Sequence, residues 1–458
     1  MKIAPGGRRL ARVLLLGIGA LFAMMLAPRG AIAAYHEIVL STFCTGTGCT
    51  EGNTPFAGLL RDPWGNLYGT TSGGGTAGGG AVFELSPNAT QTGWTQKTLY
   101  SFCTQTNCAD GQTPLGALIM DASGRLYGTT SFGGTGQGMA GGGGTVFELT
   151  PNAARTAWTE RVLYSFCPQA NCVDGYIPSA ALVMDLSGNL YSTTYQGGSG
   201  SGGTVFELTP NATRSAWTEK VLYSFCAQAN CTDGMGPLAG LIKDTSGNFY
   251  STTAAGGAAT SGTVFELVPN RSGTAWTERV LYSFCAQPEC AQHSAGPLGS
   301  VIADASGNLY GMTAGGGNDI GGGLVFELTP DATRTTWKEK VLYTFCSQAG
   351  CIDGDRPTAA LLMDPSGNLF GTTSFGGVNG GQNNNNGGGG TVFELIPNAA
   401  RTAWTEKVLH SFCVEYFCSD GNSPLSTLIM DPSGNLYGTN ALSRDRNGGS
   451  IFEFEQVP

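Results

Sequence analysis

The sequence predicts an all-β protein: a seven-bladed β-propeller of four-stranded antiparallel blades, closed by the N-terminal strand pairing into the last blade. Three observations predict it. The chain of 458 residues contains seven copies of one unit of about sixty residues. Each copy holds four short β-type segments separated by turn residues. The series begins with a fourth segment that has no first three before it, and ends with three that have no fourth after them.

The repeat is clearest from Trp158 to Leu208, where Trp158-Thr159-Glu160-Arg161-Val162-Leu163-Tyr164-Ser165-Phe166-Cys167 is followed by Cys172 and Asp174-Gly175. The leading cysteines are Cys44, Cys103, Cys167, Cys226, Cys285, Cys346 and Cys413, so the period is 59, 64, 59, 59, 61 and 67 residues. The extra length falls in glycine-rich insertions such as 133–144 and 376–390, where loops belong. Segment A (Leu182 to Met184), segment B (Leu190 to Thr193), segment C (Thr204 to Leu208) and segment D (Trp217 to Phe225) are rich in Val, Leu, Tyr, Phe and Thr. The A-to-B link reads Asp-x-Ser-Gly-Asn in most copies, a tight hairpin with glycine at positive φ and aspartate capping backbone N–H groups. No segment has a helical period.

Closure follows from the two ends. Tyr35 to Cys44 matches segment D, while Leu428 to Met430, Leu436 to Gly438 and Ile451 to Phe454 supply A, B and C. The N-terminal strand is therefore expected to cover the edge of blade 7.

Composition agrees with short strands on glycine turns: Gly is 72 of 458 residues, charged residues are 12%, yet 41% is hydrophobic. Residues 1–33 read as a signal peptide, with Lys2, Arg8, Arg9 and Arg12 before the apolar run Val13 to Ala27 and a cleavage-like Ala31-Ile32-Ala33. That run is shorter than the roughly twenty residues a spanning helix needs, so no membrane insertion is expected. Residues 34–458 are read as a single propeller domain. Beyond residue 33, 18 Lys+Arg face 33 Asp+Glu, which argues against nucleic acid as a partner.

The runs Leu67-Tyr68-Gly69-Thr70-Thr71 with Ala81-Val82-Phe83-Glu84-Leu85, and Leu126 to Thr130 with Thr145 to Leu149, recur through the chain. In these the sequence resembles the GloVer tandem-repeat family of exported bacterial proteins (Gloeobacter and Verrucomicrobia). The resemblance implies a secreted, extracellular or periplasmic protein and carries no activity to transfer.

Cysteines fall in seven pairs with four residues between partners: Cys44/Cys49, Cys103/Cys108, Cys167/Cys172, Cys226/Cys231, Cys285/Cys290, Cys346/Cys351 and Cys413/Cys418. In an exported chain this reads as local disulfides. Two sulfurs and no histidine per copy are a poor zinc site, and no metal is expected. The Asp-Gly after each pair (Asp110, Asp174, Asp233, Asp353, Asp420, with Glu51 first) reads as a turn cap, since a calcium loop needs more closely spaced oxygen ligands. The segment C glutamates (Glu84, Glu148, Glu207, Glu266, Glu327, Glu394, Glu453) are expected to pair with segment D cations such as Lys97, Arg161 and Arg279. The recurrent tryptophans, Trp158 and its equivalents, are expected to be packing aromatics.

Function is therefore sought where copies differ. Candidate ligand-binding residues are Phe132, Tyr195 and Phe375 in the B-to-C loops, His293 where the fifth copy replaces Asp-Gly by Gln292-His293, and Arg61 and Lys243 where strand A usually ends in Met. Asn318-Asp319 also depart from the repeat. With three histidines and no nucleophile, phosphate or cofactor motif, no catalytic residue and no cofactor are assigned. The expected function is a secreted, monomeric, non-catalytic binding or scaffold propeller presenting loops to a protein or carbohydrate partner. The alternative is an extracellular propeller enzyme, a polysaccharide lyase or hydrolase.

Overall fold

The computed structural model describes residues 34–90, 93–137, 141–169, 171–285, 296–317, 321–378, 388–415, 418–443 and 448–457. It is a seven-bladed β-propeller. The expected signal peptide, residues 1–33, lies outside the described residues, as do His293 and Asn318-Asp319.

In blade 3 the strands are A (Val183–Met184), B (Leu190–Thr194), C (Thr204–Pro210) and D (Trp217–Ser224), in the spatial order A-B-C-D. Strand A is shorter than its apolar run predicts and strand C longer, because only two residues of A find ladder partners while C extends to pair Pro210 with Trp217. A register shift between Val205 and Phe206 marks a bulge in the C–D ladder, and every one of blades 1 to 6 repeats it. The Asp-x-Ser-Gly-Asn hairpins form as expected: Asp185 accepts the Ser187 and Asn189 N–H groups, both at 2.9 Å.

The core lies between blades. Tyr127, Val146, Leu163 and Phe166 of blade 2 close on Leu182, Leu190, Phe206 and Leu208 of blade 3, with Trp217 packed at the edge. Each such large side chain contributes about 1.5–3 kcal/mol on burial, so the face of a blade is stable only against its neighbour. The recurrent Leu-Tyr-Gly-Thr-Thr run has a part for nearly every residue. A Cβ on Gly128 would lie 2.6 Å from the Phe147 ring, so the glycine makes room for that core aromatic. Thr129 Oγ1 donates to Ala180 O of the next blade at 3.1 Å, and Thr130 Oγ1 meets Thr145 Oγ1 at 2.8 Å across strands B and C. The segments that lead into strand A touch around the ring, Gly116 against Ala180 and Gly299 against Ala359, so the A edges surround the axis.

A second contact sets the spacing of neighbours. The proline that leads into each blade rests on the glycine before strand C of the preceding blade. A Cβ on Gly203 would lie 2.7 Å from Pro237 Cδ, and one on Gly449 would lie 2.3 Å from Pro55 Cδ. The latter pair spans the join of first and last blades. There the strand Ala34–Thr42 pairs antiparallel with Ser450–Val457, with Ile38 opposite Glu453 and Val39 opposite Phe452. Thr439 Oγ1 then donates to Ala57 O at 3.2 Å. The ring closes through the N-terminal strand, as the two incomplete ends require.

Six disulfides join the expected partners: Cys44–Cys49, Cys103–Cys108, Cys167–Cys172, Cys226–Cys231, Cys346–Cys351 and Cys413–Cys418. The seventh pair includes Cys290, outside the described residues. The fold is all-β, as expected, and three of these loops carry one 3₁₀ turn each. Thr106–Cys108, Ala229–Cys231 and Ala349–Cys351 are single 3₁₀ turns, each ending on the second cysteine of its pair. Their cause is the shortness of the ring, which has to turn back within six residues to bring the sulfurs together. Cys108, Cys231 and Cys351 do so by donating their N–H groups to Gln105 O, Gln228 O and Gln348 O, at 2.9, 3.0 and 2.9 Å. One turn is too short to leave a helical period in the sequence. All thirteen described cysteines have φ between 45° and 64°, a region that costs an L-residue about 1–2 kcal/mol. A cross-link within a six-residue ring holds both partners there.

Candidate ligand-binding face

Antiparallel order puts the cysteine loops and the B-to-C loops at one end of the ring and the hairpin turns at the other. The cysteine-loop end is stitched to the glycine-rich loops by shared carbonyls: Cys172 O accepts both Gly175 N and Gly198 N, each at 2.9 Å. Beyond the described cysteine loops the chain bridges to the B-to-C loop, at Asn53 with Gly73, Gln112 with Phe132, Tyr176 with Gln196, Met235 with Ala255 and Asp355 with Phe375. The next residue has positive φ in Thr54, Thr113, Ile177, Gly236, Arg356 and Ser423, and its N–H bonds a glycine carbonyl of the preceding blade. Proline then directs the chain to the axis. The result is a circle of stations around the axis with one backbone and different side chains.

These stations gather some of the sequence candidates and scatter others. Phe132 and Phe375 occupy equivalent positions, both half-buried, and the Arg356 guanidinium lies 5.4 Å from the Phe375 ring centroid. Tyr195 sits one residue earlier in its loop, equivalent to Ser131 and Ser374, and its ring lies over Gly236 of blade 4. Arg61 and Lys243 are at the opposite end, beside the hairpins. Lys243 Nζ lies 5.0 Å from the Tyr191 ring and 5.2 Å from the Phe249 ring, where Met184 and Met363 pack in their own blades. The lysine thus fills a methionine's place with an ammonium over aromatic faces. The two groups of candidates form no single site. Tyr176, Met235 and Arg356 went unnoticed in the sequence, although they belong to the variable pair of residues just before each lead-in proline; Gln196, which bridges Tyr176 from the B-to-C loop, carried no such signal.

The acidic residues are arranged differently, with the same pattern in blade after blade. At the hairpin end, Tyr191 O–H reaches Asp185 at 3.1 Å and Glu207 at 2.8 Å. In blades 1, 3, 4, 5 and 7 the strand C glutamate is thus tied to the strand B tyrosine, while in blade 6 Phe370 stands in the tyrosine's place. Ion pairs with strand D occur at Glu148–Arg161 (3.3 Å), Glu266–Arg279 and Glu327–Lys340 (3.8 Å). Lys97 and Lys220 instead donate to carbonyls of the following blade, Thr156 O at 3.0 Å and Thr274 O at 3.1 Å, since the curved ring brings that loop within reach.

Beneath the cysteine loops the gaps between successive blades from 1 to 7 hold further carboxyls. Tyr164 donates to Asp174 at 2.9 Å, and Asp174 also caps Cys167 N. Glu219, from strand D of the next blade, has a buried Oε1 with no hydrogen-bond partner, and burial together with the Asp174 carboxylate pushes its pKa up to about 8. Glu160 beside Asp110 and Glu278 beside Asp233 are raised to the same value by the same causes. Raised carboxyls often mark active sites, but a feature repeated from gap to gap is a property of the ring.

Two open cavities break the symmetry. One of about 600 Å³ lies in the cysteine loop leading into blade 2, lined by Asn107, Gln112 and Gln137 among others. Another of about 400 Å³ lies between blades 4 and 5 at the hairpin end, beside Ala303, where Met stands in blades 2, 3, 6 and 7. Asp244 and Asp304, on its rim, are each held by turn N–H groups and a tyrosine. Among the described residues no three His, Cys, Asp or Glu side chains are placed to hold a metal ion, and no helix is long and apolar enough to cross a membrane.

The Gloeobacter/Verrucomicrobia repeat matches residues 19–243, 132–296 and 291–457. No curated protein sequence matches the chain. Among solved structures, an ulvan lyase of a new polysaccharide lyase family superposes with a TM-score of 0.52 at 12% identity, covering 91% of this chain and 95% of that one. PorZ, a surface component of the type-IX secretion system of Porphyromonas gingivalis, gives a TM-score of 0.47 at 14% identity over 87% of this chain, which spans 46% of PorZ. The NanB sialidase of Streptococcus pneumoniae gives 0.41 at 11% identity, over 91% of this chain and 70% of that one. At these identities the likeness is one of fold alone.

Proposed function

Because the chain belongs to the Gloeobacter/Verrucomicrobia repeat family, which brings a fold without an assigned chemistry, we propose that it is an exported, non-catalytic binding propeller whose cysteine-loop end engages a carbohydrate or protein partner outside the cytoplasm. One observation carries this reading. Around the axis at that end the backbone repeats from station to station while the side chains diverge, from Asn53 and Thr54 to Tyr176 and Ile177 to Asp355 and Arg356. The carboxyls, by contrast, repeat around the ring and are engaged in turns, tyrosine bonds and gaps between blades. A recognition surface needs the first pattern, and an acid–base centre would need one special constellation.

Export is supported by the charged and apolar pattern of residues 1–33 and by the disulfides, which persist in oxidising compartments. The test is a glycan array and pull-down with the chain from residue 34 onward. Retention of a glycan or protein without turnover is the expected result. Release of shortened or unsaturated sugar products would replace this reading with an enzyme.

A further inference from the structure

Six of the seven axial stations have a small residue directly after the five-residue run of the Leu-Tyr-Gly-Thr-Thr type: Ser72, Ser131, Ala254, Ala314, Ser374 and Ala441. The seventh has Tyr195. The station beside it, in blade 4, has Gly236 and blade 5 has Gly296, where the other five have Thr54, Thr113, Ile177, Arg356 and Ser423. Gly236 and Tyr195 fit each other, because a Cβ on Gly236 would lie 2.8 Å from Tyr195 Cε2. The glycine gives the tyrosine ring a flat backbone bed, and Tyr195 N, bonded to Ile177 O at 3.0 Å, fixes where the ring starts. The ring is half-buried, and among the described residues its hydroxyl has no hydrogen-bond partner.

Next to Tyr195 and Gly236 along the chain, and across the bridge from Gln196, stand an amide, a thioether and a phenol: Gln196, Met235 and Tyr176. Tyr176 O–H donates to Gln196 Oε1, which orients the carboxamide and leaves its N–H groups without a protein partner among the described residues. Met235, 40% exposed, adjoins Gly236. None of Tyr176, Ile177, Tyr195, Gln196, Met235 and Gly236 carries a charge at neutral pH. A supported aromatic face suits the C–H face of a pyranose, and the amide and phenol suit its hydroxyls. The missing charge gives no hold on a uronate or sulfate.

We propose that Tyr195, on its Gly236 bed and flanked by Tyr176, Gln196 and Met235, is a stacking subsite for one uncharged pyranose ring of a neutral polysaccharide. This rests on the binding reading above and names its ligand class.

The experiment titrates the chain from residue 34 onward with neutral cello-, xylo- and mannohexaose, with hexagalacturonate and a hexaproline peptide as rival ligands, using calorimetry and ligand-observed saturation-transfer NMR. At least one neutral hexaose is expected to bind. Tyr195→Ser, the residue of three sister stations, is expected to weaken it about tenfold or more without moving the melting temperature. Gly236→Thr, as at Thr54 and Thr113, should do the same by displacing the ring, while Tyr195→Phe should keep most of the affinity. A neutral hexaose bound equally by wild type and Tyr195→Ser would overturn the subsite and leave the binding reading standing. Preference for hexagalacturonate or hexaproline would overturn the ligand class. No binding of any neutral hexaose by wild type would overturn the subsite, and an array and pull-down that also retained nothing would remove the binding reading with it.

Discussion

Tyr282 donates its hydroxyl proton to Glu339 across the gap between blades 4 and 5, at 2.7 Å. In four sister gaps the equivalent tyrosine turns to an aspartate of its own cysteine loop, as Tyr100 does to Asp110 and Tyr343 to Asp353. The loop after Tyr282 has Gln292 at that aspartate position in the sequence. With no aspartate to accept it, the tyrosine partners the next blade's glutamate. Glu339 accordingly has an acceptor role that Glu160, Glu219 and Glu278 lack. The gap between blades 7 and 1 changes every member, with Ser41 Oγ donating to Gln96 Oε1 at 2.6 Å.

Stability should fall as pH rises. Glu160, Glu219 and Glu278 are pushed up to about 8 in the folded protein, first by burial and then by the adjacent aspartate. An acid that keeps its proton longer when folded favours folding fully below its unfolded value near 4.5, and loses that contribution as pH passes through its folded value. The melting temperature should thus decline between about pH 5 and pH 9. The triple variant Glu160→Gln, Glu219→Gln, Glu278→Gln, which copies the natural Gln96, should flatten the decline and melt higher at pH 9. Calorimetry across that range checks it, and an unchanged slope in the triple variant would show that these carboxyls are ionised throughout.

The Gly449–Pro55 contact should be worth more than its backbone angle. Gly449→Ala meets both φ 87° and Pro55 Cδ at 2.3 Å, whereas Gly48→Ala meets φ 89° with nothing within 4 Å. The Gly48 change should cost about 1–2 kcal/mol at most and the Gly449 change about 1–3 kcal/mol more, from crowding. Denaturant unfolding of the two variants measures the difference.

Deleting residues 34–43 should destabilise blade 7 and promote association, because the 450–457 strand then presents an open edge. Deleting residues 379–387 should do neither. Light scattering and melting curves compare the two, and a truncated chain that stayed monomeric with its original melting temperature would argue against closure by strand pairing.

Replacing Cys167 and Cys172 together by serine should lower stability by about 2 kcal/mol, the loop-entropy value for a ring of six residues. Non-reduced digests of the unaltered protein should yield every cysteine in a local pair. Free thiols or links between copies would contradict the arrangement from Cys44–Cys49 onward.

The sequence was legible wherever a residue's task is local or repeated. Asp185 caps its own hairpin, Cys167 finds Cys172 five residues on, and the unpaired strand at Tyr35 has a single vacancy to fill, so spacing alone determined the hairpins, the disulfides, the blade count and the closure. What lies between blades was decided by the tertiary structure. Lys97 lies directly opposite Glu84 in the ladder, yet it donates to a carbonyl 59 residues away because the ring brings the neighbouring loop as close as the opposite strand. Tyr195 and Gly236 stand in different copies and looked unrelated until the wedge shape of adjacent blades put one against the other. A strand ladder depends on the order of residues along the chain, which the sequence contains. Contacts between blades depend on the angle at which seven sheets meet around one axis, and that angle exists only once the ring is closed.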